Sequence, residues 1–197
     1  MLDLALVCLS VLFWLPLLTL LALAVTLESR GSAWYGHGRI GYRGKRYTMW
    51  KLRTMVMNSQ EVLEAYLAEH PQAVEEWIAT QKLKDDPRIT RIGRWLRRFS
   101  LDELPQIFNV LTGEMSLVGP RPIYDPVEVN RWGARFQVYQ EARPGLTGLW
   151  QVSGRNDTTY EERIALDMRY IRSWSLGLDL RILARTFGAV LSGKGAY

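Results

Sequence analysis

Residues 4–27, LALVCLSVLFWLPLLTLLALAVTL, contain no charged side chain, and this stretch decides which kind of fold the chain can adopt. A straight helix of this length measures ~36 Å, enough to cross the ~30 Å hydrocarbon core of a bilayer. No basic residue precedes the stretch and no small-residue cleavage site follows it, so it is a poor match to a signal peptide. The sequence therefore predicts a membrane-anchoring helix within residues 1–30 and a separate cytoplasmic domain over residues 31–197.

Pro16 lies at the middle of this stretch. Proline lacks the N–H that would bond four residues back and its ring presses on that carbonyl, so the sequence predicts a bend there. Two topologies remain open: a kinked helix that spans the membrane, or a re-entrant hairpin that returns to the leaflet it entered. Arginines and lysines follow the segment whereas only Asp3 precedes it, which predicts that the C-terminal side is cytoplasmic.

The composition limits the partners and cofactors of the chain. A net charge of +5 and a pI of about 9.5 favour an anionic partner, whether nucleic acid, a phosphorylated substrate or an acidic membrane surface. The single cysteine, Cys8, excludes an internal disulfide and a cysteine-cluster metal site, and two histidines make a histidine-rich zinc site a poor expectation. Any divalent metal is expected to have oxygen ligands, as magnesium and manganese prefer.

The remaining chain predicts an α+β, mostly helical fold. Glycines between β-prone residues predict a hairpin within residues 36–55, and residues 57–81 predict a helix interrupted near Pro71. Residues 86–100 alternate apolar side chains with arginines at helical spacing, which fits either a helix packed on a core or one lying among lipid headgroups. Residues 174–191 form a second candidate for an interfacial amphipathic helix.

Two adjacent carboxylates, Asp102 and Glu103, follow a row of arginines within the stretch RRFSLDELPQ. They can be explained by a capping box that begins at Ser100, or by Asp102 acting as the N-cap with Pro105 in the first turn. Either register puts both groups at the positive end of a helix dipole and near Arg97, which predicts that both are ionised. An ionised aspartate can attack phosphorus, and an ionised glutamate can hold magnesium.

Two further stretches suggest phosphate binding. In GPRP, Arg121 is held between two prolines, so its guanidinium stands on a stiff backbone suited to clamping a phosphate, although a surface turn would look the same. Residues 143–157, RPGLTGLWQVSGRND, contain three glycines that would let the backbone approach a ligand. This glycine pattern matches no standard nucleotide motif.

These motifs together resemble one known family, the monotopic phosphoglycosyl transferases, which are bacterial sugar transferases acting on a polyprenyl-phosphate carrier. The matching pieces are the apolar segment followed by ESRG, then KLRTM, DDPRITRIGRWLRR, SLDELPQIFNVLTGEMSLVGPRP, RPGLTGLWQVSGRND and LDMRYIRSWSLGLDLRIL. They occur in the family's order over nearly the whole chain. The similarity is closest to the short members that initiate exopolysaccharide repeat units with galactose phosphate or glucose phosphate.

The resemblance implies a reaction and a set of site residues. A UDP-sugar would give its sugar-1-phosphate to undecaprenyl phosphate and release UMP, at the cytoplasmic face of the bacterial inner membrane. Asp102 would be the nucleophile, and Glu103 with Asp102 would bind Mg²⁺ or Mn²⁺. Phosphate groups would be held by Arg97 and Arg121, and the nucleotide would be contacted by Thr147, Gly148, Gln151 and Arg155. Membrane lipids are expected partners and nucleic acid is not; the oligomeric state stays open, with a homodimer as one candidate.

The chain departs from the family pattern at two places. Leu15 precedes Pro16 where the family usually has serine, and the usual basic residues before the apolar segment are missing. Both departures concern the membrane topology. Two rival functions also account for parts of the sequence: a basic membrane-anchored adaptor that binds anionic lipid or nucleic acid, and a metal-dependent phosphohydrolase that uses the same carboxylates. No motif identifies the sugar.

Overall fold

The computed structural model describes residues 2–124, 127–154 and 158–192. It is mostly helical, as predicted, with two small sheets. The chain begins with two apolar helices, α1 (Leu2–Leu9) and α2 (Val11–Glu28). Helix α2 is long and apolar enough to cross a membrane by length and composition, with a mean hydropathy of 2.1 over its 18 residues.

The break in the apolar segment lies at Ser10, six residues before the predicted position at Pro16, which is inside α2. The Ser10 hydroxyl donates to the Leu6 carbonyl at 2.7 Å, and the buried Trp14 indole donates to the Val7 carbonyl at 3.0 Å. These two side chains thus donate to carbonyl groups at the C-terminal end of α1. The break at Ser10 was not predicted, and the bend predicted at Pro16 stays a prediction, since α2 runs through that residue.

Two sheets follow. Strands β1 (Trp34–Ile40) and β2 (Arg46–Leu52) form the predicted antiparallel hairpin, with Tyr35 opposite Lys51. Strands β3 (Ser116–Val118) and β4 (Gly145–Thr147) form a short parallel pair. An added Cβ at Gly119 or Gly145 would lie 2.3 Å from the Arg143 carbonyl oxygen or 2.1 Å from the Gly119 nitrogen, so glycine is required where these backbones meet.

Eight further helices complete the described chain. The interruption predicted at Pro71 is confirmed, since one helix ends at Glu69 and the next begins at Pro71. Their bounds are α3 (Ser59–Glu69), α4 (Pro71–Thr80), α5 (Arg91–Arg98), α6 (Gln106–Leu111), α7 (Val127–Trp132), α8 (Phe136–Tyr139), α9 (Tyr160–Arg172) and α10 (Leu176–Ser192).

One face of the apolar segment belongs to the main hydrophobic core. Trp14, Leu18, Leu21 and Val25 recur every three or four residues along α2 and are all buried. They pack in one cluster with side chains from β2, α5 and α6, including Met49, Leu52, Leu96, Ile107 and Val110. The opposite face is open, with Leu12 and Phe13 each 80% exposed. The predicted domain boundary at residue 30 stays a prediction, but the two parts share this core.

Both ends of the apolar segment are bonded to the rest of the chain. Near its start, the Asp3 carboxylate accepts a hydrogen bond from the Ser116 hydroxyl of β3 at 2.8 Å. At its end, the Glu28 carboxylate accepts from the backbone N–H groups of Arg91 and Ile92 at 2.9 and 3.0 Å. Glu28 thus satisfies two amides in the first turn of α5 that have no partner within the helix.

Helix α5 packs closely on the chain that follows β2. Gly93 is buried at this contact, and an added Cβ would lie 2.1 Å from the Thr54 carbonyl oxygen. The same carbonyl accepts from the Thr90 N–H at 3.1 Å, and the Thr90 side chain caps the helix by accepting from Gly93 N at 2.9 Å. The position of α5, and of the arginines on it, depends on this close approach.

We expect Gly93→Ala to lower the free energy of unfolding by roughly 1–3 kcal/mol, because the new methyl group overlaps the Thr54 backbone. The matched control is Gly188→Ala in α10, where an added Cβ meets no atom within 4 Å and the substitution should be neutral or stabilising by roughly 0.5–1 kcal/mol. Denaturant unfolding of both variants in the same detergent tests this. Equal stability of the two variants would contradict the packing described for α5.

Candidate active site

A cavity of about 980 Å³ opens beside the β1–β2 hairpin. Its walls come from the hairpin, the chain after β2, helix α5, the turn that carries the paired carboxylates, and the residues around β4. The predicted site residues that line it are Arg97, Asp102, Glu103, Arg121, Thr147 and Gln151. The structure thus brings together residues that are up to 54 positions apart in the sequence, from Arg97 to Gln151.

The paired carboxylates lie in a 3-10 turn, Leu101–Glu103, before α6. Ser100 has a left-handed backbone with φ of 54° and makes no capping hydrogen bond with its side chain, so the predicted capping box is absent. Helix α6 begins at Gln106 with Pro105 before it, which also excludes Asp102 as its N-cap. Both capping explanations of the pair were wrong, because the chain turns again between Glu103 and Gln106.

The orientation of the turn is set by its apolar neighbours. Leu101 and Leu104 flank the two acids and pack against the core cluster that contains α2. Asn109 then fixes α6 to β2, since its amide group donates to the Thr48 carbonyl at 2.7 Å and accepts from the Trp50 N–H at 3.1 Å. With the leucines on the core side, the carboxylates face the cavity.

Lys51 on β2 faces both carboxylates. Its Nζ lies 2.6 Å from Glu103 Oε1 and 3.8 Å from Asp102 Oδ2. The sequence analysis did not select this residue, although it begins the KLRTM motif. A lysine on a strand 51 residues before the acid gives no local signal of the contact, and only the resemblance of that motif could have indicated it.

The pKa of Asp102 lies above the usual value for an aspartate. Burial raises its pKa from 3.8 to about 6, and the neighbouring charge of Glu103 adds to this effect. Lys51 and Arg97 act in the opposite direction but do not outweigh burial. Arg97 favours the ionised form of Asp102, as expected, but burial outweighs it and the pKa rises, because desolvation penalises a charge held away from water. At pH 7 most of the group is still ionised.

Arg97 is fixed at the cavity wall by the end of α5. Its Nε donates to the Thr54 hydroxyl at 2.9 Å, which leaves the terminal nitrogens of the guanidinium available to a ligand. Burial lowers the pKa of Arg97, and the charges of Asp102 and Asp86 oppose that effect. The residue remains a cation close to the carboxylate at position 102.

Arg121 lies after β3, between Pro120 and Pro122, and also lines the cavity. Its guanidinium carbon lies 4.8 Å from the centre of the Trp150 ring, and its backbone N–H donates to Asp167 Oδ2 at 3.3 Å. Burial and the nearby charge of Arg163 lower the pKa of Arg121. The sequence analysis missed Asp167, which is fully buried on α9 and whose pKa burial raises to about 7.

The four residues expected at the nucleotide differ in placement. Thr147 and Gln151 line the cavity, and Thr147 is hydrogen-bonded to Thr186 of α10 at 2.7 Å between hydroxyl oxygens. Gly148 lies against backbone instead, since an added Cβ would be 2.1 Å from the Gly119 carbonyl oxygen. Close packing of the two backbones therefore explains why position 148 is glycine, without a contact to a nucleotide. Arg155 lies outside the described residues.

The acidic pair fits a magnesium or manganese ion in part. Both side chains supply the oxygen donors that these ions prefer, and Mg²⁺ is often held by one or two carboxylates plus substrate phosphates. No group of three or more histidine, cysteine, aspartate or glutamate residues that could hold a metal occurs within the described chain. The Lys51 ammonium already contacts one oxygen of Glu103, so a cation would have to share that side chain with it.

The cavity thus combines a carboxylate of raised pKa with three cations on different walls. Comparison with known proteins shows that residues 1–193 match the sequence profile described as Bacterial sugar transferase. The chain belongs to the bacterial sugar transferase family. The family resemblance and the α+β, mostly helical fold expected from the sequence are both confirmed.

Three curated relatives show what this chain is similar to. It is 51% identical over 183 residues to a UDP-galactose-lipid carrier transferase of Erwinia amylovora, covering 93% of this chain and 38% of that protein. It is 46% identical to the exopolysaccharide production protein ExoY of Rhizobium meliloti, covering 95% and 83%. It is 41% identical to a UDP-glucose:undecaprenyl-phosphate glucose-1-phosphate transferase of Caulobacter vibrioides, covering 100% and 70%. The chain therefore spans about two fifths of the Erwinia protein and most of the other two.

Proposed function

We propose that this bacterial sugar transferase moves a hexose-1-phosphate, with galactose or glucose as the hexose, from a UDP-sugar to undecaprenyl phosphate and releases UMP. This would be the first membrane step in the synthesis of an exopolysaccharide or related glycoconjugate. The observation that carries the proposal is Asp102, a mostly ionised carboxylate facing a cavity in which Lys51, Arg97 and Arg121 supply positive charge. The names of relatives that use UDP-glucose, UDP-galactose and undecaprenyl phosphate support the donor and the acceptor.

Two anionic substrates must react in this cavity, and a covalent intermediate separates them in time. In the first step an oxygen of Asp102 bonds to the β-phosphorus, and the bond from that phosphorus to the bridging oxygen breaks; UMP leaves with the electron pair. In the second step a phosphate oxygen of undecaprenyl phosphate bonds to the same phosphorus and the aspartyl bond breaks. The Asp102 carboxylate is restored and the lipid diphosphate sugar is the product.

The remaining residues stabilise charge in this scheme. Arg97 and Arg121, which both line the cavity, would hold phosphate oxygens during both steps. Lys51 lowers the pKa of Asp102 and so increases its ionised fraction. Thr147 and Gln151 would contact the nucleotide beside Trp150. Magnesium held by Glu103 and Asp102 would neutralise charge that develops on the phosphate oxygens.

We expect Asp102→Asn to reduce UMP release from UDP-galactose or UDP-glucose by at least about a thousandfold, because the amide is not a nucleophile at phosphorus. The matched control is Asp85→Asn, an exposed acid outside the cavity, which should behave as wild type. The measurement is UMP release with and without undecaprenyl phosphate and magnesium.

The reaction with UDP-sugar but without undecaprenyl phosphate distinguishes a transferase from a phosphohydrolase and from a non-catalytic adaptor. Wild-type enzyme should release about one equivalent of UMP without lipid and then stop, leaving a phosphosugar on Asp102 that mass spectrometry detects. Continued hydrolysis of UDP-sugar without lipid would indicate a phosphohydrolase. A salt-sensitive shift of RNA with no UMP release would indicate an adaptor. Full activity in Asp102→Asn would exclude this nucleophile.

The proposed activity should depend on pH. Activity should fall as the pH drops below about 6, since protonation of Asp102, whose pKa is about 6, removes the nucleophile. Lys51→Met should move this acid limb to higher pH by about one pH unit, because the cation that lowers the pKa of Asp102 is gone. Lys45→Met, an exposed lysine of the same hairpin outside the cavity, is the control. An unchanged acid limb in Lys51→Met would contradict the role of the ion pair.

We also propose that the apolar segment is re-entrant, with its catalytic domain on the cytoplasmic face. A spanning helix carries one end away from the domain, whereas here Asp3 contacts β3 and Glu28 contacts α5. Together with the break at Ser10, these contacts favour a hairpin-like insertion from one side.

Cysteine labelling tests this topology. In a Cys8→Ser background, Leu2→Cys should react with a membrane-impermeant maleimide in inside-out vesicles and stay unlabelled in intact spheroplasts. The reference for the cytoplasmic side is Glu75→Cys, an exposed position on α4. Labelling of the Leu2→Cys thiol only in spheroplasts would show that the segment spans.

A further inference from the structure

A second cavity, of about 250 Å³, lies between α9, α10 and the chain after β4. Its polar lining consists of Arg169 from α9, Arg181 and Arg185 from α10, and the hydroxyls of Ser153 and Ser173. The rest of the lining is leucine, and no acidic residue from the described parts of the chain takes part in it. The proposed transfer reaction uses none of these side chains.

Two of the three arginines in this cavity lack, within the described chain, the side-chain partners that surface arginines often have. Neither Arg169 nor Arg181 forms an ion pair or side-chain hydrogen bond with any residue in the described parts of the chain. Arg185 is oriented by donating from Nη2 to the Val152 carbonyl at 2.9 Å, and that acceptor carries no charge. Three guanidinium groups around one small cavity, with no carboxylate lining it from residues 2–124, 127–154 or 158–192, match an anion that bears several oxygens.

Helix α10 separates this cavity from the catalytic one. Leu183 and Thr186 line the catalytic cavity, whereas Leu178, Arg181 and Arg185 line the smaller one. At ~100° per residue the two sets fall on different sides of the helix. One cavity therefore lies on one side of α10 and the other cavity on a different side.

The outer face of α10, between the two cavities, is apolar and open. Leu176, Leu180 and Phe187 point in nearly the same direction at helical spacing, and they are 52%, 52% and 74% exposed. Trp174, just before the helix, is 61% exposed. Helix α10 is linked to the start of the membrane segment through β3, since Ile182 of α10 packs with Val118 of β3 and Ser116 of β3 bonds to Asp3.

An apolar face bordered by arginines suits the boundary between lipid tails and headgroups. If Leu176, Leu180 and Phe187 enter the bilayer, Arg181, which lies ~100° round the helix from Leu180, can reach the level of the lipid phosphates with its long side chain. A soluble phosphate could use the arginines but would gain nothing from the leucines of the cavity or from the open face beside it. A phospholipid offers a partner for each part.

We propose that the cavity formed by Arg169, Arg181 and Arg185 binds the phosphate headgroup of an anionic phospholipid. The bound lipid holds the outer face of α10 against the membrane. Since α10 also forms a wall of the catalytic cavity and bonds to Thr147 through Thr186, the lipid fixes that wall as well. This site is independent of the covalent chemistry proposed for Asp102.

The test is the number of lipids retained by the full chain in native mass spectrometry after release from nanodiscs. The nanodiscs contain phosphatidylcholine and phosphatidylglycerol in equal amounts. Wild type should retain one phosphatidylglycerol in preference to phosphatidylcholine, and Arg169→Gln/Arg181→Gln should lower that retention about tenfold or more. Arg185 is left unchanged because of its bond to Val152.

The control is Arg172→Gln, which removes one positive charge from α9, the helix of Arg169, at an exposed position outside the cavity. It should retain lipid as wild type does, and circular dichroism of both variants should match wild type. Unchanged retention in the double variant, or an equal loss in Arg172→Gln, would overturn the proposal. Binding of inorganic phosphate that phosphatidylglycerol does not displace would assign the cavity to a soluble anion and would also overturn it.

Discussion

The turn that carries Asp102 and Glu103 and the membrane segment are built on one hydrophobic core, and the rest of the structure depends on this shared packing. One face of α2 buries Trp14, Leu18, Leu21 and Val25 against β2, α5 and α6. Leu101 and Leu104 pack on the same cluster from the other side. Because the leucines are held there, Asp102 and Glu103 between them face the cavity. A single core therefore fixes the carboxylates relative to the lipid boundary, where a polyprenyl phosphate would present its headgroup.

Burial and charge work against each other at the centre of the site. Removal from water raises the pKa of Asp102, while Lys51 and Arg97 lower it, and the result is a carboxylate with a pKa of about 6 that is ionised near neutral pH. A fully solvated aspartate would be ionised more completely but would also be more strongly hydrated and so a weaker nucleophile. Placement between the half-buried Lys51 and the half-buried Arg97 gives an ionised oxygen in a partly dry environment. The second buried acid, Asp167, instead braces the backbone of Arg121.

The sequence predicted features that depend on local pattern. The apolar segment, the β1–β2 hairpin and the helix break at Pro71 follow from hydropathy, glycine and proline, and the structure confirms each. The pairing of Lys51 with Glu103 could not be derived from local pattern, because it joins a strand to a turn 52 residues later. The pKa direction of Asp102 was missed for a related reason, since burial depends on packing between distant elements. Ser10 was passed over because proline gives the stronger sequence signal for a helix break.

The bond network at the end of α2 has a practical consequence for preparing this protein without detergent. A shortened chain that began at residue 30 would expose Tyr47, Met49, Leu52, Leu96 and Ile107 along an uncovered trough, and the first amides of α5 would lose Glu28. Such a fragment would be expected to self-associate through that trough. Deletion of the apolar segment alone would therefore not yield a water-soluble protein. A replacement surface, supplied by redesign or by fusion, would have to cover the core side chains that the segment covers.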